Sequence, residues 1–373
     1  MEKVLRAAPQ PRTALGRYRM LSPTASVRVS PLCLGAMNFG DAWSSYMGPC
    51  DQKTTESMLD FFYESGGNFI DTANFYQFGQ SEQWVGEWMN KHGVRDQMVL
   101  ATKYSSAFRA SHGDKEIIAN TVGNGAKSLR GSLDHSLKNL QTSYIDLLWV
   151  HFWDFTCSIP EMMHSLNDAI TSGKVIYIGA SDMPAWVVSK ANQYARDHGL
   201  RQFSVYQGQW SAAFRDFERE ILPMAMSENM GIAPWGSLGA GKFKSEEQRK
   251  ASQGRVYTGE VDENTIKVSR ALEAIAKKKN TLITSVALAY VMHKVPYVFP
   301  IVGGRSVQHL KGNIQALSLE LEKEDMDYIE AAAPFDIGFP LSFIGRGAEE
   351  SVWEDLGAHV DHVELPKAIV PHN

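Results

Sequence analysis

The sequence predicts an α/β protein built as a single closed (β/α)8 barrel, with a β-hairpin before the first barrel strand and a long loop after the seventh. Two observations carry this. Short apolar runs alternate with longer amphipathic stretches, the pattern of βα units feeding a parallel sheet, and eight such runs follow one another without a break in composition across the 373 residues. No G-x-G-x-x-G occurs, which removes the Rossmann route to dinucleotide binding.

The elements follow in order. Residues 1–20 read as a Pro- and Arg-containing leader, expected to be flexible. RYRML and SVRVS flank the turn SPTA, so a hairpin precedes the first buried strand. The barrel strands are expected at 32–37, 68–71, 98–102, 145–151, 175–179, 203–207, 231–235 and 298–302. Between them lie helical stretches such as ESMLDFFYES, SEQWVGEWMNKH, IPEMMHSLNDAITSG and SVALAYVMHK. The insertion 236–263 is rich in Gly, Lys and Glu and should be a mobile loop at the active face. One domain is expected over 21–335, followed by an irregular tail, 336–373, whose FDIGFPLSF start is placed to close over a substrate pocket. An eight-fold barrel of about 250 residues with additions, the TIM barrel, fits this length.

Hydrophobic residues at 44% and charged residues at 21% are ordinary for a soluble protein and far from disorder. A formal net charge of −5, with no basic run longer than KKK at 277–279, excludes a nucleic-acid footprint. Three widely spaced cysteines fit a reduced compartment rather than a disulfide framework. The N-terminus lacks an apolar signal core, and no apolar stretch approaches the roughly 18 residues that span a bilayer. The expected location is the cytoplasm, with neither membrane nor nucleic acid as a partner.

Productive residues of such a barrel sit at the C-terminal ends of its strands. The second run delivers Asp71 and, just beyond it, Tyr76; the third delivers Lys103 and the fourth His151. Neighbouring strands lie about 4.8 Å apart, so the four groups converge. A carboxylate at the tip of an apolar run needs a partner, and Lys103 on the next strand can supply it. The ammonium would favour phenolate at Tyr76, lowering its pKa from about 10 and making it a proton donor or acceptor for carbonyl–alcohol interconversion. His151 would orient the carbonyl oxygen or share its proton. A structural ion pair beside a satisfied histidine is the competing reading.

A second cluster lies along the fifth to seventh runs. Ser181, Asp182 and Gln207 are short polar groups suited to an amide edge, and Trp210 offers a flat stacking face. GSLGAGK, residues 236–242, spells the start of a Walker motif, but Phe243 stands where its hydroxyl belongs, so nucleotide hydrolysis is excluded. Its loose amides and Lys242 could still cover a pyrophosphate. The eighth run ends PIVGGRS before a helix, and its two glycines, Arg305 and the helix N-terminus form a natural anion site. Trp43, Phe75, Phe152 and Trp153 follow strand ends and could line a pocket for flat aromatic substrates. No metal site is expected: His359 and His362 flank Asp361 in a tail with no supporting strand or cysteine.

LGAMNFG, NFIDTANFY, LATKYS, YIDLLWVHFWD, GASDMPAWVVSKANQYA, SVYQGQW, PWGSLGAGKF and PIVGGRSVQHLKGNI, in order over about residues 28–335, resemble the aldo-keto reductases, in their aryl-alcohol dehydrogenase-like and norsolorinic acid reductase-like branch. The resemblance implies an NADP(H)-dependent oxidoreductase acting on aromatic aldehydes, ketones or alcohols, with a place in secondary metabolism. It puts the family's catalytic tetrad on Asp71, Tyr76, Lys103 and His151. It gives Ser181 and Gln207 to the nicotinamide carboxamide, with Trp210 beneath the ring. Leu238, Gly241 and Lys242 would cover the pyrophosphate, and Gly303, Arg305, His309 and Asn313 would surround the 2′-phosphate and adenine. Two positions depart from the wider family: Asp182 stands where Asn is usual, and Ser306 where many relatives are basic. Rival readings on the same fold are an NADP-binding sensor with little turnover and a lyase using Lys103 as a Schiff base.

Overall fold

The computed structural model describes residues 7–251, 261–347, 353–354 and 356–371. Eight parallel strands form one sheet: β3 (Cys33–Gly35), β4 (Phe69–Asp71), β5 (Val99–Tyr104), β6 (Ile145–Val150), β7 (Val175–Ser181), β8 (Phe203–Gln209), β9 (Gly231–Trp235) and β10 (Ile301–Val302), with β10 pairing back to β3. The ring closes through a parallel bridge between Ile232 and Val298. The expected run 298–302 thus splits around Pro300, which has no N–H to give the ladder and offers only its carbonyl, to Cys33 N at 3.0 Å.

Side-chain parity sorts the core into two layers. Cys33, Phe69, Val99, Leu147, Trp149, Val205, Ala233 and Phe299 point into the barrel, while Leu34, Ile70, Leu100, Leu148, Ile178, Tyr206 and Ile232 pack outward under the helices. Below the barrel lies the expected hairpin, β1 (Arg19–Ser22) and β2 (Ala25–Val29), whose Leu21, Ala25 and Val29 join the interior cluster. Gly231 lets it approach: a Cβ there would stand 2.2 Å from the Leu21 carbonyl oxygen. Ordered packing begins earlier than the expected leader boundary, since Leu15 is fully buried and Thr13 Oγ1 donates to Ser65 O at 2.7 Å.

The outer layer is α2 (Gln52–Glu64), α3 (Gln80–His92), α4 (Ala126–Asn139), α5 (Ile159–Thr171), α6 (Ala185–Asp197), α7 (Ile221–Ser227), α9 (Glu263–Lys278), α10 (Ile283–Lys294), α11 (Val307–Gln315) and α12 (Lys323–Ala332). A short α1 (Ser44–Met47) lies in the first βα loop. Asp51, Ser158 and Asp262 cap α2, α5 and α9 by accepting from backbone N–H groups of the first turn. The insertion after β9 contains a 3-10 turn, Gly239–Gly241, and α8 (Glu246–Ala251); its residues 252–260 lie outside the described residues. Among the described residues the tail is irregular apart from α13 (Leu341–Ile344), and it starts pinned to the loop after β8, where Arg219 donates to Ile337 O and Asp336 O at 3.0 Å each.

Candidate active site

Parity assembles the site. Asp71 shares the inward register of Phe69, Lys103 that of Val99 and Ala101, and Gln207 that of Val205. Ser181 is held level with Gln207. His151 follows β6 directly, its N–H bonded to Tyr104 O at 3.1 Å. Five polar side chains from five strands therefore meet where the apolar interior ends.

Lys103 is fully buried and its ammonium donates to Asp71 Oδ2 and to Thr72 O at 2.9 Å. The other Asp71 oxygen accepts from Gln207 Nε2 at 3.1 Å. A carboxylate only accepts, so this bond fixes the orientation of the Gln207 amide and leaves its Oε1 as an acceptor. The ammonium lies 4.9 Å from the Tyr76 ring centre, and the ring meets His151 edge-on at 5.8 Å. Both rings keep some accessible surface, as groups facing a cleft should.

The electrostatics correct one expectation. The Tyr76 phenol is raised above its ordinary value, because burial outweighs the opposing pull of the Lys103 ammonium. Lys103 is itself raised: burial opposes its charge, but Asp71 and Tyr76 overcome that penalty. Burial, then Lys103, push His151 down to about 3, so its imidazole is neutral. Asp182 lies open to solvent, yet the walls around it push its carboxyl up to about 6 against the indole N–H of Trp235, which donates to it at 3.2 Å.

Local backbone places Tyr76. The two residues after it, Gln77 and Phe78, both have φ of 53°, the left-handed region that side chains disfavour. Gln77 is held there by its amide, which accepts from Trp43 N at 2.7 Å and donates to Met37 O at 3.1 Å. The same bonds draw the first βα loop against Tyr76, so Trp43 lies 5.2 Å from Phe75 and 6.4 Å from Tyr76. Phe78 and the half-exposed Phe152, 5.9 Å from His151, extend this aromatic wall. Trp153 instead packs with Phe155 and the helical layer, away from it. Sequence reasoning missed Gln77 and Phe78, since nothing in periodicity marks a left-handed turn without glycine.

The expected cofactor residues divide. Ser181 Oγ is buried with no hydrogen-bond partner among the described residues. Gly241 is exposed with φ of 82° on the turn after β9, between Leu238 and Lys242. Gly303 is exposed, and Arg305 lies against the first βα loop so closely that a Cβ on Gly48 would meet its Nη1 at 1.7 Å. Ser306 caps α11, whose first turn exposes His309 and whose second buries Asn313. Trp210 needs correction as a stacking face: it is fully buried, stacked on Phe217 at 5.2 Å. Trp235, at the tip of β9 and in the inward register of Ala233, is the exposed indole beside Asp182. The strand-end rule that found Asp71 could have found it.

These residues fit a dinucleotide. A buried hydroxyl without a partner, an amide acceptor one strand away, an exposed glycine turn and a cationic helix start are the groups that a carboxamide and phosphates would satisfy. Among the described residues no group of three His, Cys, Asp or Glu side chains could hold a metal ion, and no helix is long and apolar enough to cross a membrane.

A barrel with a buried Asp–Lys pair, a phenol and a neutral imidazole at its C-terminal mouth is the setting of carbonyl oxidoreductases. The sequence profile of the Aldo/keto reductase family matches residues 31–334, and the chain belongs to this family. It is 55% identical to norsolorinic acid reductase B of Dothistroma septosporum, over 95% of this chain and 94% of that protein. It is 51% identical to an aryl-alcohol dehydrogenase of Pestalotiopsis microspora (97% and 95%) and 47% identical to the aryl-alcohol dehydrogenase [NADP(+)] of Phanerodontia chrysosporium (98% of each).

Proposed function

We propose that this protein is an NADP(H)-dependent oxidoreductase that interconverts aromatic aldehydes or ketones with their alcohols, in the cytoplasm, within a single catalytic domain over 21–335. The observation that carries it is the Tyr76 phenol, set beside a buried ammonium and faced by a neutral imidazole. The relatives named as aryl-alcohol dehydrogenases and norsolorinic acid reductases support an aromatic substrate and a role in secondary metabolism.

Ser181 Oγ and Gln207 Oε1 would hold the nicotinamide carboxamide, Trp235 rather than Trp210 would face the ring, and Leu238, Gly241 and Lys242 would lie over the pyrophosphate. Gly303, Arg305, His309 and Asn313 would hold the adenosine end. When bound, NADPH supplies the hydride that reduces the carbonyl carbon. His151 presents its ring N–H to the carbonyl oxygen, and Tyr76 gives that oxygen its proton. Lys103 then stabilises the phenolate left behind, and Asp71 keeps Lys103 in place. The Tyr76 phenol, held above its ordinary value, carries its proton at neutral pH, as the donor role in reduction requires. The same ion pair argues against a Schiff base, since a raised ammonium held by two acceptors is a poor nucleophile.

The test is Tyr76→Phe, assayed by NADPH oxidation across aryl aldehydes, ketones and quinones. Loss of the proton donor should lower kcat by about 10²- to 10⁴-fold while the NADPH Kd, from fluorescence titration, stays within about twofold. Turnover at the wild-type rate in Tyr76→Phe, or a wild type inert to the whole panel, would refute the enzyme reading.

A further inference from the structure

His151 stands between two loops that are tied together by groups outside the proposed chemistry. On one side Ser105 has a φ of 102°, a conformation that residues with side chains rarely adopt. It is held there twice: Gly123 N donates to its carbonyl at 2.8 Å, and Asn124 Nδ2 donates to its hydroxyl at 2.8 Å. Asn124 also reaches the other loop, donating from Nδ2 to Phe152 O at 2.9 Å and exchanging two bonds with Asp154: its N–H to Oδ2 at 2.7 Å, and the Asp154 N–H to its Oδ1 at 2.8 Å. Asp154 is braced in turn by the N–H groups of Thr156 and Cys157 at 2.8 and 3.1 Å. The approach is tight enough that a Cβ on Gly123 would stand 2.7 Å from Asp154 Oδ2. The backbone on both flanks of His151 is thus over-determined, and the strained residue immediately precedes Ser106.

Ser106 is buried, and its Oγ lies 3.0 Å from His151 Nδ1, its one hydrogen-bond partner among the described residues. We propose that Ser106 is a positioning residue for His151: its hydroxyl donates to Nδ1, so that the ring's single proton sits on Nε2, the nitrogen left for the substrate oxygen. This rests on the carbonyl-reductase reading above. The direction follows from satisfiability. If Nδ1 carried the proton, the Ser106 hydroxyl hydrogen would have no acceptor, and the lone pair on Nε2 would face the lone pairs of a carbonyl. With the hydroxyl donating, both groups are used and the imidazole presents a donor. That imidazole is neutral, so it carries one proton and its placement matters.

The experiment reads the tautomer directly. In ¹⁵N-histidine-labelled protein, with the His151 resonances assigned by their loss in His151→Gln, the wild type should show an acceptor-type Nδ1 and a protonated Nε2. Ser106→Ala should mix the two tautomers and lower kcat/KM for an aryl aldehyde by about 10- to 100-fold, the scale on which removed outer-sphere partners act. Its NADPH Kd should stay within about twofold, and Ser106→Thr, which keeps the hydroxyl, should restore both signals. A protonated Nδ1 in the wild type, or a Ser106→Ala variant with unchanged tautomer and turnover, overturns the proposal. If Tyr76→Phe abolishes turnover while Ser106→Ala does not alter it, only the role of Ser106 fails. If Tyr76→Phe has no effect, the reading of the site itself fails.

Discussion

This barrel holds two largely buried ionic clusters. In one, Lys103 and Asp71 pair at the mouth. In the other, Arg215 bonds Glu218 at 2.8 Å and Glu330 at 3.0 Å, while Lys294 bonds Glu330 at 2.7 Å and Glu218 at 3.3 Å. Trp210 Nε1 and Tyr290 Oη fill further carboxylate positions at 3.1 and 3.3 Å. Every charge in the second cluster has at least two partners, all within the protein. The first cluster leaves Tyr76 and His151 partly exposed and, among the described residues, Ser181 without a partner. A buried ion pair points to chemistry when its neighbourhood retains unused donors and acceptors; when all are spent, it points to fixed packing.

The sharpest way to break this contrast is to neutralise one carboxylate in each cluster. Asp71→Asn and Glu218→Gln should each destabilise the fold by about 3–5 kcal/mol, the range for orphaning one partner of a buried pair. Chemical denaturation should therefore rank them together. Steady-state NADPH oxidation should separate them: Asp71→Asn should lose about 10²-fold or more in kcat as Lys103 is released from Tyr76, and Glu218→Gln should stay within about twofold. Proportionate loss of turnover in Glu218→Gln would erase the distinction.

Most of the first cluster was legible in the sequence, and the reason is geometric. Strand alternation and the strand-end rule are enough to bring Asp71, Lys103, His151 and Gln207 to one place. Parity also explains the error at Trp210. Gln207 and Gln209 share the inward register, so Trp210 turns outward onto Phe217, whereas Trp235 shares the register of Ala233. Ser106 and Gln77 were not legible, because the strained Ser105 before Ser106 is held by Asn124, itself bonded to Asp154, and Gln77 is held by Trp43 and Met37, partners remote in sequence that no local pattern announces. The direction of the Tyr76 shift was hidden for a related reason: the sequence names the neighbouring cation but not the depth of burial that outweighs it.

The contrast between open and spent groups extends to the adenosine end. Arg305 makes no ion pair among the described residues and lies beside the capped start of α11. With the uncharged Ser306 capping α11, the proposed preference for a 2′-phosphate would lean on Arg305. Arg305→Ala should raise the NADPH Kd by about 10- to 100-fold, the worth of one or two charge-assisted bonds, and leave NADH within about twofold. Equal losses for the two dinucleotides would remove the phosphate from Arg305.

Asp182 tests the contrast at its smallest scale, because its carboxylate has one partner among the described residues, Trp235, and solvent on its other side. Its carboxyl is raised to about 6, so it gains a negative charge as pH rises through that value. Oxidised nicotinamide is positive and reduced nicotinamide is neutral, so the new charge should favour the oxidised form. The ratio of the NADP+ Kd to the NADPH Kd should fall by about two- to fivefold between roughly pH 5 and pH 7, as for a partly solvated charge pair. Asp182→Asn, measured by the same titrations, should flatten that ratio. If the two proteins give superimposable curves, the carboxylate is as spent as those around Arg215, and the Asp at this position owes its place to the Trp235 indole rather than to the cofactor.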